Sequence, residues 1–204
     1  MSEPAYTRLS VDERRRQVLL AAGRLFTENA FEEITMREIA ETAGISKALL
    51  YHYFPSKTEL FKAAAAQYSA ELQALIAPDG EGTPIEQLNR SLDAYLGWIE
   101  ANSHAWRKLM QSAATLPEAG RLLESFRTET LDQILEHLTG AEEPPPLLRN
   151  ALHGWLGYVD ATLLDWTAHD DLAREQVHGL IVTAFGAAVF AVQQADPALG
   201  LDLA

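Results

Sequence analysis

Cysteine is absent from the chain, which removes disulfide bridges, thiolate nucleophiles and cysteine-ligated zinc at once and fits a reducing cytoplasm. A run long enough to cross a bilayer is missing too. The longest apolar stretch, Leu180 to Val192, is flanked by His178 and Gln193 and falls well short of the ~20 residues a spanning helix needs. Met1 to Arg16 lacks the apolar core of a secretory signal, so neither export by that route nor a membrane role is expected. Neither a glycine-rich phosphate loop nor a nucleophile elbow occurs. The strict alternation that marks strands is lacking as well.

Positive charge is scarce: 16 Lys and Arg stand against 29 Asp and Glu, a formal net charge of −13. An acidic protein repels a polyanion, so the total argues against nucleic acid. Its distribution reverses that argument. Met1 to Lys62 balances nine basic with nine acidic residues, whereas Ala63 to Ala204 holds seven against twenty. All the excess acid lies C-terminal, as expected if only the first segment approaches a polyanion. An acidic surface kept for solubility would look the same.

What is present is helix. Apolar residues recur at three and four, and four S/T-x-x-E capping boxes mark helix starts at Ser10/Glu13, Thr35/Glu38, Ser56/Glu59 and Thr83/Glu86. Together with the breaks at 78–83, at Leu116-Pro117 and at the Pro triplet 144–146, they predict an all-α chain of about nine helices. The fourth helix is expected to run unbroken from Ser56 to about Ile76, joining the N-terminal segment to the rest without a flexible linker. This divides the chain into a small N-terminal domain at 10–56 and a larger helical domain at 57–204.

Between Thr35 and Tyr53 two short helices are joined through Gly44, with Ala40 and Ala43 where the helices must approach closely. This is the build of a helix-turn-helix. The stretch TMREIAETAGISKALLYHYFPSKTELF, Thr35 to Phe61, resembles the signature of the TetR family of transcriptional regulators. The resemblance reaches from about Arg14 to Gln67, and beyond Gln67 only the helical architecture matches. Ala48 and Leu49 depart from the commonest family pattern, so base specificity does not transfer.

The resemblance implies binding to a palindromic double-stranded DNA operator, with repression the family default and activation possible through the same headpiece. It puts Lys47 and Ala48 at base edges, where lysine can donate to guanine and an alanine methyl can meet thymine. Ser46, the N-cap of the same helix, stands beside them among the DNA-facing residues. Tyr51, His52, Tyr53 and Lys57 match the family's phosphate contacts, as do Arg37 and, through its backbone, Met36. The competing readings, Tyr51 and Tyr53 as aromatics at the edge of the core and Lys47 as a solvated charge, are the weaker ones. On this division of roles Lys47→Ala should relax sequence preference, whereas Lys57→Ala should weaken binding evenly and flatten its salt dependence.

For the C-terminal domain the resemblance implies a cavity for a small effector and a homodimer through helices eight and nine. Helix nine is apolar on nearly every side, and Gly154, Ala161, Gly179, Gly186, Ala187 and Ala188 would admit close helix packing. Packing within one chain is the competing explanation. Trp98, Trp106, Met110, Phe126, Trp155, Tyr158, Thr162 and Trp166 could line a pocket for a hydrophobic or aromatic effector. An aromatic stripe at helical spacing serves a core equally well. No cofactor, metal site or catalytic residue is read from the sequence. Glu175-x-x-His178 is half of a helical carboxylate metal site without its second copy. An enzyme or a purely architectural DNA-binding module remain the rival classes.

Overall fold

The computed structural model describes residues 10–29, 31–77, 80–140 and 143–200. Among them lie nine α-helices: α1 Val11–Glu28, α2 Met36–Thr42, α3 Lys47–Tyr53, α4 Lys57–Ile76, α5 Pro84–Ala101, α6 Ser103–Ala113, α7 Pro117–Thr139, α8 Pro146–His169 and α9 Arg174–Ala195. A 3-10 turn follows at Pro197–Leu199. The all-α expectation holds, with boundaries close to those set by the capping residues.

The chain condenses into two compact units. One comprises residues up to Tyr68 together with Lys108–Leu122, and the other comprises Ser69–Arg107 and the described residues from Leu123 onward. The division drawn from the motif at 56/57 therefore differs from the packing division, which falls inside α4, α6 and α7.

In the first unit α1 supplies Val18 and Ala22, α2 supplies Ile39 and Ala40, and Leu50, Phe54 and Leu60 close a core from which solvent is excluded. Burial of such side chains contributes roughly 1.5–3 kcal/mol each for the larger ones. Gln17 Nε2 donates to the Ala43 carbonyl at 3.0 Å, tying α1 to the end of α2. Gly44 then reverses the chain at φ +65°, a left-handed conformation that glycine adopts without strain. Phe26, Phe31 and Phe61 form an aromatic cluster with centroids 5.2 to 5.9 Å apart. Lys108 Nζ donates to the Glu28 carbonyl at the C-terminal end of α1, where a cation complements the helix dipole.

Three of the four capping boxes close as expected, at Ser10/Glu13, Thr35/Glu38 and Thr83/Glu86. At the fourth, Ser56 Oγ accepts from the Glu59 amide at 3.1 Å, but the Glu59 carboxylate turns to Lys62 at 2.8 Å. Hydrogen bonds to Ser10 hold the Glu13 carboxyl below the usual glutamate range, and those to Thr35 do the same for Glu38. Both groups bind their proton less tightly folded than unfolded. Their contribution is complete above the unfolded glutamate range and is lost as pH falls through the lower folded value. In an NMR titration Thr35→Ala should raise the Glu38 carboxyl part of the way to the ordinary range, the backbone bond at position 35 being kept, while leaving Glu13 where it was. An unmoved Glu38 would show that the cap is not the cause.

In the second unit α8 and α9 form an antiparallel pair. Leu148, Leu152, Trp155, Val159 and Leu163 of α8 are buried, as are Val177, Ile181, Phe185, Val189 and Val192 of α9. Trp155 Nε1 donates to the Ile181 carbonyl at 3.0 Å, satisfying the one polar atom of a buried indole. Asp170, in the left-handed region at φ 52°, ends α8 and reverses the chain. α5 lies against α9, and Arg174 at the start of α9 reaches Asp93 and Glu100 on α5 at 3.6 and 3.7 Å. Contrary to the expectation from the apolar run alone, the whole of α9 is long and apolar enough to cross a membrane, yet one line of its side chains is the core of this unit.

Candidate nucleic-acid interface and ligand cavity

α3 is seven residues long, and Leu50 is its one buried residue. Ser46, Lys47, Ala48, Leu49, Tyr51 and His52 are exposed, while Tyr53 is half-buried. Ser46 starts the helix by accepting the Leu49 amide at 3.1 Å. Pro55 stops it, because the residue before a proline is pushed out of helical geometry; Phe54 is extended at φ −136°. A helix this short is held by Leu50 and by Phe54 just beyond its end. Nearly all its remaining surface is therefore presented outward.

On that surface Lys47 Nζ lies 5.8 Å from the Tyr51 ring centroid, and the His52 and Tyr53 rings meet edge to face at 5.8 Å. Arg37 is exposed and pairs only loosely with Glu41 at 3.7 Å. The Met36 side chain is buried, leaving its backbone as the part able to meet an anion. Arg15 stands over the Phe54 ring at 5.2 Å, and Arg14 hydrogen-bonds Gln17 at 3.0 Å.

Lys57 is placed differently from the surface contact expected of it. Its ammonium donates to the carbonyls of Phe31 at 2.6 Å, Ile34 at 2.7 Å and Glu32 at 3.4 Å. It also sits 4.4 Å from the Phe31 ring centroid. An ammonium has three protons, and three carbonyls of the α1–α2 turn receive them. Motif matching carries no signal for this inward use, because the turn that supplies the acceptors lies more than twenty residues upstream.

The second unit holds a partly open cavity of about 120 Å³. Its walls are Gln87, Leu88, Ser91, Leu92 and Tyr95 from α5, Leu123, Phe126, Arg127, Thr130 and Ile134 from α7, and Trp155, Leu156, Val159 and Asp160 from α8. Phe185, Ile76 and His137 contribute as well. Of the eight residues picked out for a pocket, Phe126 and Trp155 line it.

The other six stand elsewhere. Trp98 and Trp166 lie past the end of the lined stretch on their helices, and Trp166 Nε1 is bonded to the Leu172 carbonyl at 2.9 Å. Trp106 is buried and hydrogen-bonds the Tyr95 hydroxyl from behind the wall. Tyr158, one residue and so about 100° round α8 from Val159, faces outward and is 41% exposed. Thr162 is half-buried outside the lining, and Met110 belongs to the first compact unit. Ring size guided those picks, whereas helical phase and distance along the helix decide which side chains meet the cavity.

The polar lining residues that sequence reasoning missed are Gln87, Ser91, Tyr95, Arg127, Thr130, Gln133, His137 and Asp160. Arg127 Nε donates to Asp160 Oδ2 at 2.6 Å, and Arg127 also approaches Glu124 at 3.5 Å. Burial pushes the Asp160 carboxyl up and Arg127 pulls it back; burial and the Asp160 charge push the Tyr95 hydroxyl up, so it stays protonated. The one available signal was position: Arg127 follows Phe126 on the apolar stripe of α7, where a charge needs a partner.

A two-helix motif that leaves its second helix bare, in a chain whose other unit holds a cavity, defines a helix-turn-helix protein of the regulator class. Residues 18–64 match the model for bacterial regulatory proteins of the tetR family, and 84–188, just over half the chain, match that for the tetracyclin repressor-like C-terminal domain. The chain belongs to the TetR family. It is 33% identical over 107 residues to the HTH-type transcriptional activator FasR of Mycolicibacterium smegmatis, covering 52% of this chain and 49% of that one. To the HTH-type transcriptional repressor AcnR of Corynebacterium diphtheriae it is 32% identical over 77 residues, covering 38% and 40%. These matches thus span about half or less of those relatives' length. A tetR-family transcriptional regulator from Streptomyces coelicolor has a similar structure, with a TM-score of 0.82 and 29% identity over 94% of this chain and 87% of that one.

Proposed function

We propose that the chain is a transcriptional repressor that binds a palindromic DNA operator as a homodimer and leaves it on binding a small, mostly apolar effector. The observation that carries this reading is the bareness of α3, where Lys47, Ala48, Tyr51 and His52 surround a single buried Leu50. Lys47 and Ala48, with Ser46 beside them, read bases. Arg37, Tyr51, His52, Tyr53 and the Met36 backbone hold phosphate. Activation through the same headpiece is the second reading, favoured by the activator among the relatives.

The dimer forms through α8 and α9, whose outward faces carry Tyr158, Leu164, Leu180 and Phe190 at 37 to 61% exposure. α4, α6 and α7 each run from one compact unit into the other. They are the paths by which an occupied cavity would change the spacing of two headpieces that must fit successive major grooves ~34 Å apart. The protein acts in the cytoplasm and catalyses no reaction of its own.

Footprinting on the protein's own upstream DNA, with and without candidate effectors, tests the reading. A protected palindrome released by an effector is expected, and no protection anywhere in the flanking DNA would overturn it. Within that site Lys47→Ala should lower discrimination at one base pair per half-site by about 1–3 kcal/mol and leave affinity for random DNA nearly unchanged. A uniform loss on every sequence would instead assign Lys47 to phosphate.

A further inference from the structure

We propose, resting on the effector reading above, that the cavity of the second unit selects an uncharged amphiphile, an apolar body with one hydroxyl-type head, and discriminates against both carboxylates and amines. The body follows from the wall: Leu88, Leu92, Ile134, Trp155 and Val159 form its middle. The length follows from helix geometry. Tyr95 at one end and Pro84 at the other are eleven residues apart on α5, so the lined stretch is ~16 Å long.

The head follows from hydrogen-bonding capacity. Arg127 is the single Lys or Arg, and Asp160 the single Asp or Glu, among the residues lining the cavity. They neutralise each other through contacts that both fall on Asp160 Oδ2. Asp160 Oδ1 is then left as an acceptor, and the Tyr95 hydroxyl, which accepts from Trp106, keeps its own proton to donate. A hydroxyl donates and accepts, so it answers both.

A carboxylate only accepts. It would meet Asp160 with no spare Lys or Arg, since Glu124 already stands 3.5 Å from Arg127, and the lining imidazole of His137 is engaged through Nδ1 with the Gln133 carbonyl at 2.8 Å. An ammonium only donates, and it would have to compete with Arg127 for Asp160. Either ion would lose its hydration without an uncompensated opposite charge to replace it.

Calorimetry at neutral pH with octanol, octanoate and octylammonium tests this on the full chain. Octanol is expected to bind at least tenfold more tightly than either ion. Equal or tighter binding of an ion, or no binding of all three, overturns the proposal. Asp160→Asn removes the charge that balances Arg127 and should raise octanoate affinity at least tenfold. Arg127→Met should do the same for octylammonium, so one variant serves if the other does not fold. Unchanged ion affinities in folded variants overturn the charge argument. Operator binding, measured on the same preparation, separates the two levels. Intact DNA binding with release by some other ligand would reject only this ligand class, whereas absent DNA binding would reject the regulator reading itself.

Discussion

Replacing Phe190 with aspartate is expected to leave a 22.5 kDa monomer whose operator affinity has fallen by about two orders of magnitude or more. Phe190 is 61% exposed on α9, on the same outward line as Gly179, Thr183 and Ala187. On α8 the corresponding line holds Gly154, Gly157, Tyr158, Ala161 and Leu164. At Gly154, Gly157, Gly179 and Gly186 an added Cβ would meet nothing within 4 Å. Glycine within a helix costs ~0.8–1 kcal/mol relative to alanine, and no close contact among the described residues offsets that cost at these four positions. A partner helix approaching closely would.

In a two-fold interface each substitution acts twice, so a carboxylate at position 190 buries two unpaired charges. Loss of the dimer removes the coupling of two headpieces, which is worth roughly 10²- to 10⁴-fold in avidity. Light scattering reads the mass directly, and a dimer retained at micromolar concentration would sink the assignment of α8 and α9. Gly157→Ala supplies an opposite-sign check. It should stabilise α8 in a monomer by up to about 1 kcal/mol while weakening association, whereas a glycine without an interface role would show only the first effect.

The sequence disclosed the helices because their signals are local. A capping serine or threonine with its glutamate three residues on, a proline at a first turn and a glycine at a reversal are contained within a few positions, and α1, α2 and α5 start where these signals fall. The exposed face of α3 was legible for a related reason: with Pro55 limiting its length, a seven-residue helix has room for little more than one core side chain, and Leu50 fills that role. The cavity was not legible in the same way. Tyr158 is excluded by helical phase alone, but Phe126 and Trp155 line the cavity while Trp98 and Trp166 do not. The difference depends on how far along each helix the neighbouring helices diverge, which one chain's periodicity does not encode. The Arg127–Asp160 pair was hidden because its partners are thirty-three residues apart on different helices.

Lys57→Met is expected to destabilise the headpiece by about 2 kcal/mol, the scale for removing hydrogen bonds from a charged donor and leaving their acceptors unpaired. The ammonium holds the carbonyls of Phe31, Glu32 and Ile34 together and lies over the Phe31 ring. Phe31 in turn packs on Phe26 and Phe61, so the same residue fixes the turn that sets α2 against α1. Operator affinity should fall because fewer headpieces are folded, while the salt dependence of the folded fraction stays as it was. Had Lys57 held a phosphate instead, its removal would lower the salt slope by about 0.9.

Lys57→Arg separates the two roles more sharply. A guanidinium is a planar fork that suits a phosphate, but it does not match three carbonyls converging on a point. As a clamp, Lys57 should resist replacement, and Arg should restore little of the stability lost with Met. As a phosphate contact, it should tolerate Arg well. Thermal melts of the three proteins, with operator binding measured across a salt series, read both quantities at once. A stable Lys57→Arg protein with full operator affinity, beside a stable Lys57→Met protein with a flattened salt slope, would return Lys57 to the DNA surface.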